Sequence, residues 1–257
     1  MATVIAVTNQ KGGVGKTTTA INLAYFLAKA GKRTLLVDFD PQGNATSGLG
    51  IDKATLMSTM TDVITGGAEL ATAVVATDHK NLWLAPTTSL LANTEVELAQ
   101  ADKRFSRLKQ AIDSSGDTYD FVIIDSPPSL SLLTVNGLIA AKYILLPVQA
   151  EFYALEGLGQ LLETMKLVRK GMNPNLELLG VLPTMLDSRT TLSNQVHEEI
   201  KRHFPGKVFE TTIPRNIRLA EAPSHGLPIG VYDKFSKGSR AYKSLAKEVI
   251  DRTAANS

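Results

Sequence analysis

The sequence of 257 residues contains no cysteine. This absence excludes disulfide bonds, thiolate nucleophiles, zinc sites with cysteine ligands and iron–sulfur clusters, and it is compatible with a reducing compartment. No basic segment precedes the first apolar residues, so we expect no secretory signal. The longest apolar stretch, residues 130–150, is interrupted by Asn136, Lys142 and Pro147, which predicts a short helix and a buried strand instead of a membrane span. We therefore expect a cytoplasmic protein that does not enter a membrane.

The chain also lacks internal repeats and linkers rich in Gly or Ser, so we expect a single domain over residues 1–257. Short runs rich in Val, Ile and Leu predict strands at 4–7, 34–37, 82–85, 121–124, 144–148, 178–182 and 208–213. Amphipathic segments predict helices at 17–30, 94–112, 132–141, 155–170, 192–203 and 239–254, and residues 51–77 predict a pair of small helices. This alternation predicts an α/β fold: one doubly wound, mostly parallel sheet with helices on both faces.

A glycine-rich loop between the first predicted strand and the first predicted helix is the most informative segment. It consists of Gln10, Lys11, Gly12, Gly13, Val14, Gly15, Lys16, Thr17 and Thr18. The glycines allow backbone N–H groups to close around a phosphate chain, and the N-terminus of the next helix attracts negative charge. In such a loop Lys16 reaches the β- and γ-phosphates and the Thr17 hydroxyl binds Mg²⁺. The segment therefore predicts a nucleotide with Mg²⁺.

Lys11 departs from the common phosphate-loop pattern G-x-x-x-x-G-K-[ST], whose first glycine is replaced by Gln10. Because Lys16 already occupies the position beside the phosphates, Lys11 is poorly placed to serve the same nucleotide. A cation at the loop entrance is placed to neutralise phosphates bound by a facing subunit, as an arginine finger does in trans. A solvated surface lysine is the alternative interpretation.

The run Lys-Gly-Gly-Val-Gly-Lys-Thr-Thr at 11–18 resembles the deviant Walker A motif of the ParA/MinD superfamily of dimerising ATPases. Residues 38–46, Asp-Phe-Asp-Pro-Gln-Gly-Asn-Ala-Thr, resemble the next motif of the ParA/Soj chromosome-partitioning branch, and the similarity continues through 125–128 and 211–228. The resemblance implies a P-loop ATPase in which ATP holds two subunits face to face. Lys11 of each subunit then reaches into the site of the other. It also implies weak hydrolysis that a partner stimulates.

Acidic residues follow two of the predicted strands. Asp125 ends the apolar run 121–125, the Walker B arrangement, in which the carboxylate holds Mg²⁺ or one of its waters; Asp38 is placed similarly and is expected to support the outer shell of the metal. Asp40 lies just past the end of a strand, where ligands bind in open α/β sheets, and the resemblance assigns it the task of orienting or deprotonating the attacking water. With Lys11 and Lys16 it forms the expected catalytic set. An ordinary turn that begins at Asp40 is the alternative.

Recognition of the base requires residues outside the phosphate loop. In ParA-like proteins the adenine lies against the segment that corresponds to 211–216 here, so the resemblance implies contacts from Pro214 and Asn216. Glu151, shortly after the strand 144–148, is a candidate contact to the ribose or to the partner subunit. A plain surface acid is an equal alternative for Glu151.

Positive charge is concentrated at the C-terminal end of the chain. Residues 189–257 carry twelve Lys/Arg and seven Asp/Glu, a net charge of +5, whereas residues 1–188 have a net charge of −3. With the resemblance in view, the expected DNA-binding cations are Arg189, Arg218, Lys234, Lys237, Arg240, Lys243 and Lys247. No base-reading motif accompanies them, so we expect sequence-independent contacts to the phosphates of double-stranded DNA. A solvated charged face is the alternative.

The resulting hypothesis is an ATP-dependent switch for the segregation of a chromosome or plasmid. The ATP-bound homodimer coats the nucleoid, and a ParB-type centromere-binding protein stimulates hydrolysis and release; a replication initiator is a further candidate partner. The main alternative is a MinD-like membrane-cycling ATPase, which needs a terminal amphipathic helix with apolar anchors. The apolar side of 239–254 is instead expected to pack on the sheet. A P-loop synthetase or small-molecule kinase is the other alternative, for which Lys11 would be superfluous.

Overall fold

The computed structural model describes residues 2–151, 158–187 and 189–255. Within these residues seven strands form one sheet in the order β3-β4-β2-β5-β1-β6-β7. The strands are β1 (Thr3–Val7), β2 (Thr34–Asp38), β3 (Val75–Ala76), β4 (Leu82–Ala85), β5 (Phe121–Asp125), β6 (Tyr143–Gln149) and β7 (Glu177–Thr184). Every neighbouring pair is parallel except β3 with β4. The predicted mostly parallel sheet is confirmed.

Helices cover both faces of this sheet. The helices of the first two-thirds of the chain are α1 (Lys16–Lys29), α2 (Asn44–Gly48), α3 (Met60–Thr65), α4 (Leu70–Ala73), α5 (Leu91–Gln100), α6 (Arg107–Asp113), α7 (Leu132–Ala140) and α8 (Leu158–Gly171). They are followed by α9 (Thr191–His203), α10 (Ile217–Glu221), α11 (Ile229–Tyr232) and α12 (Lys237–Ala255), with short 3₁₀ turns at Lys53–Thr55 and Ala222–His225. None of the helices so described is both long enough and apolar enough to cross a membrane.

The strands of the sheet are mainly apolar because successive side chains enter two different cores. In β1, Val4 and Ala6 pack in one hydrophobic cluster, whereas Ile5 and Val7 pack in the other. Helices α3 to α9 supply the rest of the first cluster, and α1, α2 and α10 to α12 supply the second. The apolar side of α12 is buried in the second cluster, as predicted, through Tyr242, Leu245, Ala246 and Val249.

The prediction of a strand at 208–213 is wrong. Val208 makes only an isolated bridge to Val181. Beyond it, the carboxylate of Glu248 accepts hydrogen bonds from the backbone N–H groups of Glu210 and Thr211 at 2.9 and 3.0 Å. A side chain of α12 therefore satisfies the donors that a neighbouring strand would otherwise bind.

The segment predicted as one helix over 94–112 forms two, α5 and α6. Lys103 adopts a positive φ of 57° between them, and the Arg104 guanidinium donates to the Ala99 carbonyl at 2.7 Å. These features end the helix, because a left-handed residue and a side chain bound to a terminal carbonyl are both typical of helix ends.

The other predicted strands and helices are present, with bounds that differ by a few residues. Residues 51–77 contain the two expected small helices, α3 and α4, together with an unpredicted 3₁₀ turn and the short strand β3. The helix predicted over 155–170 is present from Leu158 onward, and residues 155–157 lie outside the described residues.

The backbones of Gly226 and Gly50 lie close together. A substitution at Gly226 tests how strongly this contact constrains the fold. Gly226 has a φ of +64°, and a Cβ at this position would lie 2.6 Å from the Cα of Gly50. We expect Gly226→Ala to lower the free energy of unfolding by about 2–5 kcal/mol, because it combines left-handed strain with a forced backbone shift. The measurement is chemical denaturation.

Gly116→Ala is the matched control, since Gly116 has a φ of +57° with no atom within 4 Å of an added Cβ. It should lose only about 1–2 kcal/mol, the cost of the backbone conformation. Equal losses in the two variants would show that the contact with Gly50 does not constrain the fold.

Candidate functional site

The register of three parallel strands brings the glycine-rich loop and two aspartates to the same edge of the sheet. Asp125, the last residue of β5, is paired with Val7 at the end of β1 and with Asp38 at the end of β2. The loop follows β1 directly and leads into α1. The site therefore lies at the carboxyl edge, where parallel α/β sheets bind ligands.

The loop has the open backbone that the sequence predicts. Gly13 and Gly15 have φ values of 76° and 88°, and a Cβ at either position would meet no atom within 4 Å. The buried Lys16 extends back across the loop, where its Nζ donates to the Lys11 carbonyl at 3.2 Å. Burial lowers the pKa of Lys16, whereas the charges of Asp125 and Asp40 raise it. The ammonium thus faces both the loop and the carboxylates.

Two polar residues that the sequence analysis missed hold this loop in place. The Asn9 side chain accepts from the Lys11 N–H at 3.0 Å and donates to the Pro147 carbonyl in β6 at 2.7 Å. The Thr184 hydroxyl, at the end of β7, donates to the Val14 carbonyl at 2.8 Å. Asn9 could have been noticed as an amide directly after a buried strand, but no sequence pattern links Thr184 to the loop.

Asp38 and Asp125 are both fully buried. Burial raises the pKa of Asp38 to about 6, although Thr46 opposes the shift with hydrogen bonds from its hydroxyl and N–H at 2.6 and 2.7 Å. The pKa of Asp125 is raised well above its usual range, first by burial and then by the charge of Asp38, while the nearby Thr17 hydroxyl lowers it. Within the described residues, neither oxygen of Asp125 nor Oδ1 of Asp38 has a hydrogen-bond partner of ordinary geometry. These oxygens are free to accept from a ligand.

This donor set fits Mg²⁺. Magnesium is usually bound by one or two carboxylates together with water and substrate phosphates, and the unpartnered oxygens of Asp125 and Asp38 beside Thr17 supply the protein part of such a site. No three Asp, Glu or His side chains in the described ranges are grouped so that they could hold a metal ion alone. A cation here would therefore depend on the bound phosphates as well.

Asp40 forms the turn that the sequence left as an alternative, and it also lies at the site. Its Oδ1 accepts from the Gln42 N–H at 3.0 Å, and its carbonyl accepts from the Gly43 N–H at 2.8 Å. The carboxylate is buried and close enough to Lys16 to raise the pKa of that ammonium. The turn therefore fixes Asp40 beside the phosphate loop.

Lys11 and Glu151 lie together at the mouth of the loop. The Lys11 Nζ is 3.4 Å from Glu151 Oε2, with side chains 40% and 48% exposed, and the Gln149 amide also donates to Glu151. Glu151 is therefore a half-exposed acid that has Lys11 and Gln149 as partners. It pairs with the lysine for which the sequence predicts a role in a second subunit.

The segment proposed for the adenine lies beside the end of β7. Pro214 bridges to Leu186, the Leu186 N–H donates to the Ile213 carbonyl at 3.1 Å, and the Asn216 side chain caps α10 by accepting from the Arg218 N–H at 2.8 Å. Because β7 also contacts the phosphate loop through Thr184, the segment is attached to the same edge as the loop.

The seven basic residues predicted to bind DNA are all exposed, but they differ in their partners. Arg189 binds Asp187 through two hydrogen bonds of 2.9 and 2.8 Å, which lower the pKa of Asp187 to about 2. Arg218 lies 2.9 Å from Glu221 and 3.7 Å from Asp233. The remaining five make no ion pair with any described residue: Lys234, Lys237, Arg240, Lys243 and Lys247.

Comparison with known proteins gives full-length similarities. A family model described as an AAA domain matches residues 2–178. The chain is 54% identical over 249 residues to the sporulation initiation inhibitor protein Soj of Bacillus subtilis, covering 97% of this chain and 98% of that protein. It is 49% identical over 249 residues to the chromosome partitioning protein ParA of Myxococcus xanthus, covering 97% and 88%.

The sheet and its helices are also similar to a solved structure. This is the crystal structure described as cobyrinic acid a,c-diamide synthase from Mycobacterium smegmatis with bound ATP analog and magnesium. The TM-score is 0.88 at 38% sequence identity, and the match covers 100% of this chain and 98% of that chain.

Thr46 supplies a test of the aspartate pair. Its hydroxyl donates to Asp38 at 2.6 Å and accepts from the Thr87 N–H at 3.1 Å. We expect Thr46→Val to lower the free energy of unfolding by about 1–3 kcal/mol, because it leaves buried polar groups without a partner. Urea denaturation at pH 7 measures the change.

Thr55→Val is the control, since the exposed Thr55 hydroxyl bonds only to the Asp52 carbonyl of its own turn. Its effect should stay within about 0.5 kcal/mol. If Thr46→Val were equally mild, the hydroxyl would not be needed to support Asp38.

Proposed function

Because the chain belongs to the Soj/ParA family of chromosome-partitioning ATPases, we propose that it is an ATP-dependent dimerising switch for the segregation of a chromosome or plasmid. The ATP-bound homodimer binds double-stranded DNA without sequence preference. A ParB-type partner stimulates hydrolysis, and the resulting monomers leave the DNA. A protein with this activity acts in the cytoplasm, where it associates with the nucleoid.

The observation that supports the proposal is the position of the two lysines of the loop. Lys16 is buried and faces the loop and the carboxylates, so one cation already serves the nucleotide of its own subunit. Lys11 lies at the mouth with its ammonium bound only to the exposed Glu151 among the described residues. It is therefore available to neutralise phosphates in a facing subunit.

Different residues of one chain have different roles in the proposed phosphoryl transfer. The backbone of the loop and Lys16 bind the phosphates, and Thr17 and Asp125 hold Mg²⁺, with Asp38 supporting its outer shell. When bound, Mg²⁺ neutralises charge on the phosphate oxygens. Asp40 is fixed by its turn so that it can orient the attacking water or accept its proton. Pro214 and Asn216 are the proposed contacts to the adenine.

Two alternatives receive less support. One alternative is a synthase activity of the kind named for the Mycobacterium smegmatis relative. The sequence identity to that protein is 38%, which is lower than the 54% and 49% found for the Soj and ParA relatives. A synthase activity also gives no role to Lys11. A MinD-like membrane cycle needs an apolar helix face, but the apolar residues of α12 are buried against the sheet.

The dimer is tested by light scattering of Asp40→Ala. With ATP and Mg²⁺ the variant should have twice the monomer mass of 27.6 kDa, because the sandwich forms and is not hydrolysed. With ADP, or without nucleotide, it should remain a monomer. A monomer under all three conditions would contradict the switch, and an Asp40→Ala protein that hydrolyses ATP at the parental rate would remove Asp40 from catalysis.

Lys11→Ala and Gly12→Val in the Asp40→Ala background locate the interface. A Cβ at Gly12 would meet no atom of the described residues within 4 Å, so we expect valine there to be accommodated within its own chain and to crowd a facing subunit. Both double variants should bind ATP and stay monomeric. A dimer of normal affinity in either would place the interface elsewhere.

DNA binding is tested with Arg189→Glu and Arg218→Glu. Both should abolish binding of duplex DNA to the ATP-bound protein while leaving ATP binding intact. If a dimer contacts about 6–8 phosphates, log K of the parent should fall with log salt at a slope of about −5 to −7. Arg33→Glu is the matched control, because Arg33 is also paired with an aspartate, Asp120, but lies at the opposite edge of the sheet. Parental DNA affinity in the Arg189 and Arg218 variants would contradict the proposed surface.

A further inference from the structure

Two exposed apolar side chains lie among the cations of the C-terminal region. Ile217 is 73% exposed and Phe235 is 77% exposed. These two residues, together with Arg218, Lys234 and Lys237, are called the apolar–basic patch. Isolated exposed apolar residues are common on protein surfaces and do not by themselves indicate a binding site.

Asp233 joins the two sides of the patch. Its Oδ2 lies 3.7 Å from Nε of Arg218, the residue next to Ile217, and its Oδ1 accepts from the Phe235 N–H at 3.1 Å. One carboxylate therefore connects α10 to the turn that carries Phe235. The two apolar residues therefore belong to adjoining elements.

Phe235 is presented by an ordered turn. The Ser236 N–H donates to the Asp233 carbonyl at 3.2 Å, and the Ser236 hydroxyl accepts from the Ser239 N–H at 3.0 Å at the start of α12. The Lys234 ammonium lies 4.9 Å from the centroid of the Phe235 ring. These hydrogen bonds fix the backbone that carries Phe235, and the exposure of its ring to water is unfavourable.

Two lysines of the patch favour an anionic partner, whereas Arg218 is already paired with Glu221 and Asp233. Lys234 and Lys237 make no ion pair with any described residue. Duplex DNA offers two rows of phosphates with sugars and base edges between them, and minor-groove binders insert Phe, Leu or Ile there while cations hold the backbone. A membrane would require a continuous apolar face, which two side chains on separate elements do not form.

We propose that Phe235 and Ile217 contact the sugars and base edges of a DNA groove while Arg218, Lys234 and Lys237 contact the flanking phosphates. This inference rests on the proposed DNA binding and adds a component to it that does not depend on charge. Apolar contact of this kind tolerates any sequence, because every groove contains deoxyribose and base edges.

The experiment measures the affinity of the full chain for a labelled DNA duplex over a range of salt concentrations, with Mg²⁺ and a non-hydrolysable ATP analogue. Phe235→Ala and Ile217→Ala should each weaken binding by about 5- to 50-fold at every salt concentration. The slope of log K against log salt should not change, because an apolar contact releases no counterions. Lys237→Ala should instead make the slope shallower by about 2, because the dimer loses one phosphate contact from each of its two subunits.

Val96→Ala is the control for loss of an exposed apolar side chain, since Val96 is 70% exposed on α5, which packs on the opposite face of the sheet. It should bind DNA like the parent. Parental affinity in both Phe235→Ala and Ile217→Ala overturns the inference and leaves the proposed function intact, whereas a parent that does not bind DNA overturns both. Binding of the parent to vesicles of anionic phospholipid that Phe235→Ala loses, with DNA affinity unchanged, would assign the patch to a membrane and overturn the inference.

Discussion

Asp38 and Asp125 are buried opposite each other at the ends of two neighbouring parallel strands. Burial raises the pKa of both, and each carries an oxygen without a partner among the described residues. Such an arrangement is costly unless positive charge is supplied. Lys16 supplies one ammonium, while Asp40 adds a third carboxylate. The divalent cation of the proposed function would balance the remaining charge, so the register of the sheet fixes both the position and the electrostatic requirement of the site.

The surface cations differ from Lys16 because solvent, not a low-dielectric interior, sets their energies. The exposed pairs Arg189–Asp187 and Arg218–Glu221 are screened by water, so each contributes little to the stability of the fold. Either arginine can therefore exchange its acid for a phosphate at little cost. An ion-paired arginine on this surface is thus as suitable for DNA contact as an unpaired lysine.

Local patterns in the sequence were sufficient to predict most of the sheet, its helices and the phosphate loop. The six long strands, the two-sided covering of the sheet and the Gly13–Lys16 loop all follow from apolar runs, helical periodicity and glycine spacing. The strand predicted at 208–213 failed because Glu248, 37 or more residues away, binds its backbone donors. Thr184 was missed for the same reason, since its contact with the loop spans 170 residues. Contacts between distant segments leave no periodic signal, so they limit what the sequence can predict.

The weakness of the contact between Lys11 and Glu151 gives the proposed switch its direction. The 3.4 Å pair is about half exposed, and screening by water limits its value to about 0–1 kcal/mol. A triphosphate in a closed interface offers Lys11 a denser negative charge in a lower dielectric, where charge-assisted hydrogen bonds are stronger. In the proposed dimer, the lysine would therefore gain more from a nucleotide-loaded partner than it loses at Glu151. After the γ-phosphate is removed, the partner's nucleotide carries less negative charge, and its attraction for Lys11 falls. The pair between Lys11 and Glu151 within one chain then competes with the contact to the partner. In the proposed switch, Lys11 thereby couples hydrolysis to dissociation of the dimer.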